Sequence, residues 1–195
     1  PVVGKLVPRS KDTSKVLYII YIGITLLEML LLIAGGMPIF DSIVNSFATT
    51  GTGGFGIRGD SIASYSHYCQ WVIAVFMYIS AINFNLYFLL LIKRWKAVLK
   101  STELWVFTCL VIVSTLLITA DLSIWKDGFS TDILRDAFFQ VTSIASTTGF
   151  STANFDLWPS LSKCTLFILT FIGGCAGSTA GGLKMSRVII IFKLI

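Results

Sequence analysis

Long apolar runs alternate with short, half-polar ones along this chain, and the order repeats. Residues 16–34 are apolar apart from Thr25 and Glu28, and the run ends at Gly35-Gly36. At 1.5 Å per residue such a run measures roughly 30 Å, the thickness of a bilayer's hydrocarbon core, so it predicts a membrane-spanning helix. Residues 38–50 are half apolar and too short to span; with Pro38 suited to a first helical turn, they predict a re-entrant half-helix. A glycine-rich strip follows, Gly51-Thr52-Gly53-Gly54-Phe55-Gly56. Residues 70–92 form the second long run, closed by Lys93-Arg94-Trp95-Lys96 and Lys100.

The second half has the same grammar. Residues 104–120 are apolar, a polar link covers 121–132, and residues 133–146 predict another short helix. Its strip is Ser146-Thr147-Thr148-Gly149-Phe150-Ser151-Thr152. Residues 163–195 are apolar, interrupted by Gly173-Gly174-Cys175-Ala176-Gly177-Ser178-Thr179-Ala180-Gly181-Gly182-Leu183-Lys184. Such self-similarity marks an internal repeat. Residues 41–56 align with 136–151 without gaps at a constant offset of 95: Gly54 falls on Gly149, Phe55 on Phe150, Thr52 on Thr147 and Asn45 on Gln140. The same offset sets Phe76 on Phe171, and the middle of one closing helix on the glycine break of the other. The predicted class is an all-α membrane protein of tandem helix–pore helix–strip–helix units, divided into a segment 1–15 and repeats 16–100 and 101–195.

Composition supports lipid as the main solvent. Hydrophobic residues make up 55% of the 195, charged residues 13%, and the mean hydropathy is +0.83; a soluble domain carries roughly 25% charged residues. The net charge of +5 does not point to nucleic acid, because the basic residues cluster beside apolar runs as juxtamembrane anchors do. Lys5, Arg9, Lys11 and Lys15 precede the first run, Lys93, Arg94, Lys96 and Lys100 separate the repeats, and Lys184, Arg187 and Lys193 lie near the end. A helix pair with a re-entrant loop returns the chain to its starting side, so the three clusters share a side, which the positive-inside rule makes cytoplasmic. The strips then face outward, with Asp41, Asp60, Asp121, Asp127, Asp132, Asp136 and Asp156 at the mouth, an excess of acid that would concentrate cations. Cys69, Cys109, Cys164 and Cys175 form no C-x-x-C pair and His67 is the single histidine, so no transition-metal site is expected. The chain starts Pro1-Val2-Val3-Gly4 and stops at Ile195 inside an apolar run, as expected of a piece of a longer membrane protein.

The strips carry the chemistry. A bare K⁺ in a membrane must recover its lost hydration, and inward-pointing backbone carbonyls supply it. Irregular backbone survives at membrane depth only where it lines a cavity, and glycine permits its dihedrals. Thr52-Gly53-Gly54-Phe55 and Thr147-Thr148-Gly149-Phe150 have the look of K⁺-channel filter strands, each preceded by a short helix whose C-terminal dipole end would point at the cation. A single strip would serve equally as an ordinary interhelical loop; two in register favour the filter. The 177–184 stretch loosely suggests a phosphate-binding loop, but Leu183 separates Gly182 from Lys184 and no strand precedes it. Gly173, Gly177 and Gly181 also fit a small-xxx-small helix crossing. The residues alone leave crossing and flexible break both open.

Ser46-Phe47-Ala48-Thr49 leading into Gly53-Gly54-Phe55, the string from Ser146 to Thr152, and Phe171-Ile172 followed by the glycine break together resemble the Trk/Ktr/HKT superfamily of K⁺ transporters, closest to the bacterial Trk-type pore subunit. The resemblance covers nearly the whole chain. It implies a fold of four such repeats around one pore, of which this chain holds the second and third, and hence half a filter, completed by other repeats of the same polypeptide. It implies K⁺ as the transported ion at the filter, no further cofactor and no catalytic residues. Also implied are a homodimer in the plasma (inner) membrane, surrounded by lipid, and a cytosolic nucleotide-binding regulatory subunit. Carried over, 173–184 is an intramembrane gate, through Gly173, Gly174, Gly177, Ser178, Thr179, Gly181, Gly182 and Lys184. Gly54 and Gly149 stand where the family places filter glycines. The Na⁺-selective members differ in the first repeat, so a Na⁺-permeable transporter of the same superfamily stays open, as does a non-transport membrane assembly module.

Other polar residues have two readings each. Glu28 within the first run is a candidate by default or pairs with a polar group elsewhere. Asn83 and Asn85 are expected to hydrogen-bond between helices from the middle of the second run. Lys184 is either a charged barrier or an anchor. His67 is read as a loop residue, and Trp71, Trp95, Trp105, Trp125 and Trp158 as interfacial belts.

Overall fold

The computed structural model describes residues 6–194, with side chains for 14–192. Residues 1–5 of the predicted cytoplasmic segment, and the side chains of Arg9, Lys11 and Lys193, lie outside the described residues. The rest of that segment is helical, continuous with the first span.

The first repeat opens with α1 (Leu6–Ala34) and the half-helix α2 (Ile39–Thr50). Helix α1 stops in a Schellman turn: Gly36 adopts φ +83°, its N–H reaches the Ile33 carbonyl, and that of Met37 reaches Leu32. Buried Leu32 and Met37 pack into one cluster, the apolar contact that accompanies this motif. Helix α2 is inside out by soluble standards. Ser42, Asn45, Ser46, Thr49 and Thr50 are buried, whereas Ile39, Phe40 and Phe47 are exposed. Burying this polar face is tolerable because its hydroxyls donate one turn back: Ser46 to Ser42 O (2.6 Å), Thr49 to Asn45 O (2.7 Å), Thr50 to Ser46 O (2.7 Å).

The second repeat is built likewise from α6 (Thr102–Trp125) and α7 (Thr131–Ala145). Ser66 caps the helix that opens at His67, and Ser101 and Ser130 cap α6 and α7, each hydroxyl accepting a first-turn N–H. Helices α1, over Ser14–Ala34, and α6 are long and apolar enough to cross a bilayer. They leave Leu27, Leu30, Leu116 and Leu117 exposed, as lipid-facing surface requires.

Both closing helices are broken. Residues 70–92, predicted as one span, divide into α3 (His67–Ser80) and α4 (Phe84–Leu91), bent by 91°; α5 (Trp95–Leu99) follows. In the second repeat α8 (Ser160–Thr170) and α9 (Met185–Leu194) flank the glycine break. Asn83 does not sit mid-helix as expected. It caps α4, its Oδ1 accepting from Asn85 N at 2.9 Å. The carbonyls freed at the bend are taken up from the other repeat: Cys175 N–H donates to Ala81 O (2.8 Å) and Thr179 Oγ1 to Ser80 O (3.1 Å). In return Phe84 N–H reaches Gly177 O at 3.0 Å.

The repeats interlock where α3 packs on α7. Phe139 of α7 and Phe150 are buried in a cluster with Leu32, Ile73 and Met77 of the first repeat, and Trp71 stacks on Phe138 with ring centroids 5.6 Å apart. Phe139 is fully buried, so Phe139→Ala is expected to destabilise the fold by about 3–5 kcal/mol, read as a lowered unfolding midpoint in detergent. An unchanged midpoint would mean that the repeats do not depend on this junction.

Candidate functional site

The two strips leave their half-helices by the same route. Gly51 and Ser146 end α2 and α7 in αR geometry. Thr52 and Thr147 then turn to φ +51° and +58°, Gly54 and Gly149 to +66° and +92°. Four backbone hydrogen bonds recur at the offset of 95: Gly51 N to Phe47 O and Ser146 N to Thr142 O, Thr52 N to Thr49 O and Thr147 N to Ile144 O, and Gly53 and Gly54 N to Ala48 O as Thr148 and Gly149 N to Ser143 O. Left-handed backbone is costly for a β-branched residue, roughly 1–2 kcal/mol. It persists at both threonines because the surrounding bonds over-determine it, a pattern typical of functional sites.

The strips lie side by side. A Cβ on Gly54 would overlap the Thr148 carbonyl and come within 3.4 Å of the Gly149 carbonyl carbon. Only glycine allows that approach. A Cβ on Gly149 would meet no atom within 4 Å. The strips differ in support. Ser143 Oγ donates to Phe150 O at 2.6 Å, and the Ser146 and Thr148 hydroxyls lie 2.7 Å apart; their counterparts Ala48, Gly51 and Gly53 carry no hydroxyl. Accordingly Phe150 is 1% exposed and Phe55 79%: Phe150 anchors its strip in the core, and Phe55 does not. Beyond the strips, Ile62 N–H donates to Ser151 O (3.1 Å) and Ser151 N–H to Ser61 Oγ (3.2 Å). Asp41, Asp121, Asp132 and Asp136 at this end are engaged. Asp41 accepts from Tyr65 (2.7 Å) and lies 3.8 Å from Arg58. Arg135 bridges Asp132 and Asp136, and Asp121 takes the Ser162 N–H and hydroxyl. Burial, then donation to Asp41, pushes the Tyr65 phenol up.

The glycine break folds against the two strips. A neck closes it, with Gly173 N–H on Leu183 O (2.6 Å) and Met185 N–H on Gly174 O (3.0 Å). Both strip threonines reach it: Thr52 Oγ1 donates to Thr179 O at 3.0 Å, and Thr147 Oγ1 accepts from Gly181 N at 2.6 Å. Ser178, Thr179, Gly177 and Phe84 also border a cavity of about 430 Å³ that extends to Tyr18 and Tyr21 of α1. The break is therefore neither a helix crossing nor a free loop; it is a hydrogen-bonded segment wedged between the bend of α3–α4 and the strips. Glu103, in the first turn of α6, holds both its ends through one oxygen, which accepts from Ala176 N (2.7 Å) and Ser186 N (3.1 Å). Sequence reasoning passed over Glu103. The available signal was a lone acid opening an apolar run directly after a basic cluster. Lys184 Nζ donates to Ala180 O (2.6 Å) and approaches Ser178 O (3.5 Å).

Glu28 is fully buried, and neither of its oxygens has a hydrogen-bond partner among the described residues. His67 is exposed, 3.7 Å from Asp132. Among the described residues no group of three or more His, Cys, Asp or Glu side chains is placed to hold a metal.

Two helix–half-helix–strip–helix units with adjoining strips define a channel-like, all-α membrane protein. The model of the TrkH family, described as a cation transport protein, matches residues 2–125 and, in an overlapping second match, 87–195. The chain is 39% identical over 196 residues to the Trk system potassium uptake protein TrkH of Salmonella typhimurium, covering 97% of this chain and 40% of that protein. It is 32% identical over 194 residues to TrkG of Escherichia coli K12, covering 97% and 39%. The crystal structure of the potassium transporter TrkH from Vibrio parahaemolyticus superposes with a TM-score of 0.89 at 34% identity, over 97% of this chain and 42% of that one. The chain belongs to the TrkH family, and it spans about 40% of the length of these relatives.

The Glu103 contact makes a checkable claim. Glu103→Ala leaves two N–H groups without an acceptor and is expected to cost about 2 kcal/mol, whereas Glu103→Gln, which keeps an amide oxygen, recovers most of that loss. Unfolding midpoints of the two variants decide it; equal losses would mean that the charge, rather than the acceptor oxygen, is what matters.

Proposed function

We propose that this chain forms part of the K⁺ pathway of a Trk-type uptake system, with Thr52–Phe55 and Thr147–Phe150 as two of the strands of a carbonyl filter. The observation that carries the reading is the contact of Gly54 with Thr148 and Gly149, between two strips whose backbones are hydrogen-bonded alike. Carbonyls held in that register replace part of the hydration shell of a monovalent cation, and the C-terminal ends of α2 and α7 add their partial negative charge. Gly53, Gly54, Thr148 and Gly149 present the coordinating backbone. Thr52 and Thr147 form the end next to the glycine break, and Phe150 serves as the anchor. In this reading no covalent bond is made or broken, so the process is ion transport rather than catalysis.

In this reading the chain supplies repeats two and three of four, the remaining strands coming from other repeats of the same polypeptide. The Trk resemblance further supports a homodimer in the inner membrane with a cytosolic nucleotide-binding regulatory subunit. The charge distribution supports strips facing outward and basic clusters facing the cytoplasm. The segment 173–184 is the gate: it abuts both strip threonines and is held by a small set of hydrogen bonds.

Uptake of ⁸⁶Rb⁺ into liposomes by the full-length protein tests both parts. Gly149→Ser has space for its side chain but not the dihedral, since φ is +92°; it is expected to reduce uptake and K⁺ over Na⁺ selectivity by about tenfold, the equivalent of about 1.4 kcal/mol. Unchanged uptake and selectivity would sink the filter assignment. Shortening 174–182 is expected to raise flux, and a flux that falls or stays level would remove the gate.

A further inference from the structure

The carbonyls of Ser178, Thr179 and Ala180 are shared between two partners. The middle one accepts from Thr52 Oγ1 (3.0 Å). The flanking two face the ammonium of Lys184, at 3.5 Å from Ser178 and 2.6 Å from Ala180. A monovalent cation therefore already rests on backbone carbonyls within the segment that touches the strips, and it is covalently attached to the chain. Carbonyls that hold an ammonium, a compact single positive charge, present the same dipoles to K⁺.

We propose that Ser178 O and Ala180 O form a further monovalent-cation site, outside the filter, and that Lys184 is its tethered occupant in the closed pore. Resting on the gate reading above, this gives the gate a chemical identity. While the ammonium fills the site, its charge repels a K⁺ descending past Thr52 and Thr147, and its hydrogen bonds tie the 178–180 segment to the start of α9. When the ammonium withdraws, the same carbonyls are exposed to the permeating ion, so opening removes a barrier and supplies a step along the path. Glu103 belongs to the same arrangement. It pins Ala176 N and Ser186 N on either side of that segment, which confines the motion to the residues carrying the carbonyls and Lys184.

The test uses the full-length protein, without its regulatory partner, in liposomes and in crystals. Lys184→Met keeps the length of the side chain and removes the charge; it is expected to raise basal ⁸⁶Rb⁺ flux about tenfold, the scale of losing a hydrogen bond to a charged group. Lys184→Arg, which keeps the charge, stays near wild type. In crystals grown with Tl⁺, K184M is expected to show Tl⁺ between Ser178 O and Ala180 O as well as at the strips, and the wild-type protein at the strips alone. A flux in K184M at or below wild type overturns the proposal, as does an empty 178–180 site beside occupied strips. So does Tl⁺ on those carbonyls in the wild-type protein with the ammonium still in place, a measurement that needs no variant to fold. If shortening 174–182 raises flux and K184M does not, this inference alone falls; if neither raises flux, the gate reading falls with it.

Discussion

Hydrocarbon offers no partner to a freed backbone group, so a helix broken at membrane depth must find its hydrogen bonds within the protein or along a cavity. This chain breaks two helices, α3–α4 and α8–α9, at positions related by its internal offset, and each break supplies what the other lacks. Ala81 O and Ser80 O accept from Cys175 N and Thr179 Oγ1, while Gly177 O accepts from Phe84 N. The pairing explains why the 173–184 segment is ordered although its glycines each cost a helix about 1 kcal/mol: it is a tertiary element, stabilised by partners far away in sequence.

The same constraint places polar residues where a soluble protein would place leucine. The buried hydroxyls of α2 donate to their own helix, as does Thr142 of α7, whereas Ser143 of α7 reaches into the strip and holds Phe150 O. The two strips therefore share a path but not a stiffness. The second is anchored by hydroxyls and a buried phenylalanine, the first by its backbone and the Thr52 hydroxyl on Thr179 O, with Phe55 exposed. The approximate repeat shares one backbone path and differs in what lies behind it.

Charge is used sparingly and locally. Arg135 between Asp132 and Asp136, and Arg58 near Asp41, neutralise acids that composition alone would count as an attracting field. Within the apolar body the two charges that matter for the break, Glu103 and Lys184, both engage backbone rather than each other: the carboxylate takes N–H groups and the ammonium takes carbonyls. Each sets the shape of a segment that has no regular structure to define it.

The sequence by itself determined the elements that depend on local composition: two long apolar helices, two half-helices, two glycine strips and a spacing of 95 between them. Run length measures a membrane span, and glycine with threonine marks unusual backbone, so these were readable one residue at a time. The bend at Ala81–Asn83 was not. Residues 70–92 contain neither glycine nor proline, and their apolar pattern is that of one helix; the kink exists because Cys175, Gly177 and Thr179 arrive from the other repeat to take its carbonyls and its N–H. For the same reason the cap at Asn83, the Glu103 contacts and the approach of Gly54 to Thr148 have no local signature. A hydrogen bond or a close backbone approach between residues some ninety positions apart is a property of packing, and only the tertiary structure decides it.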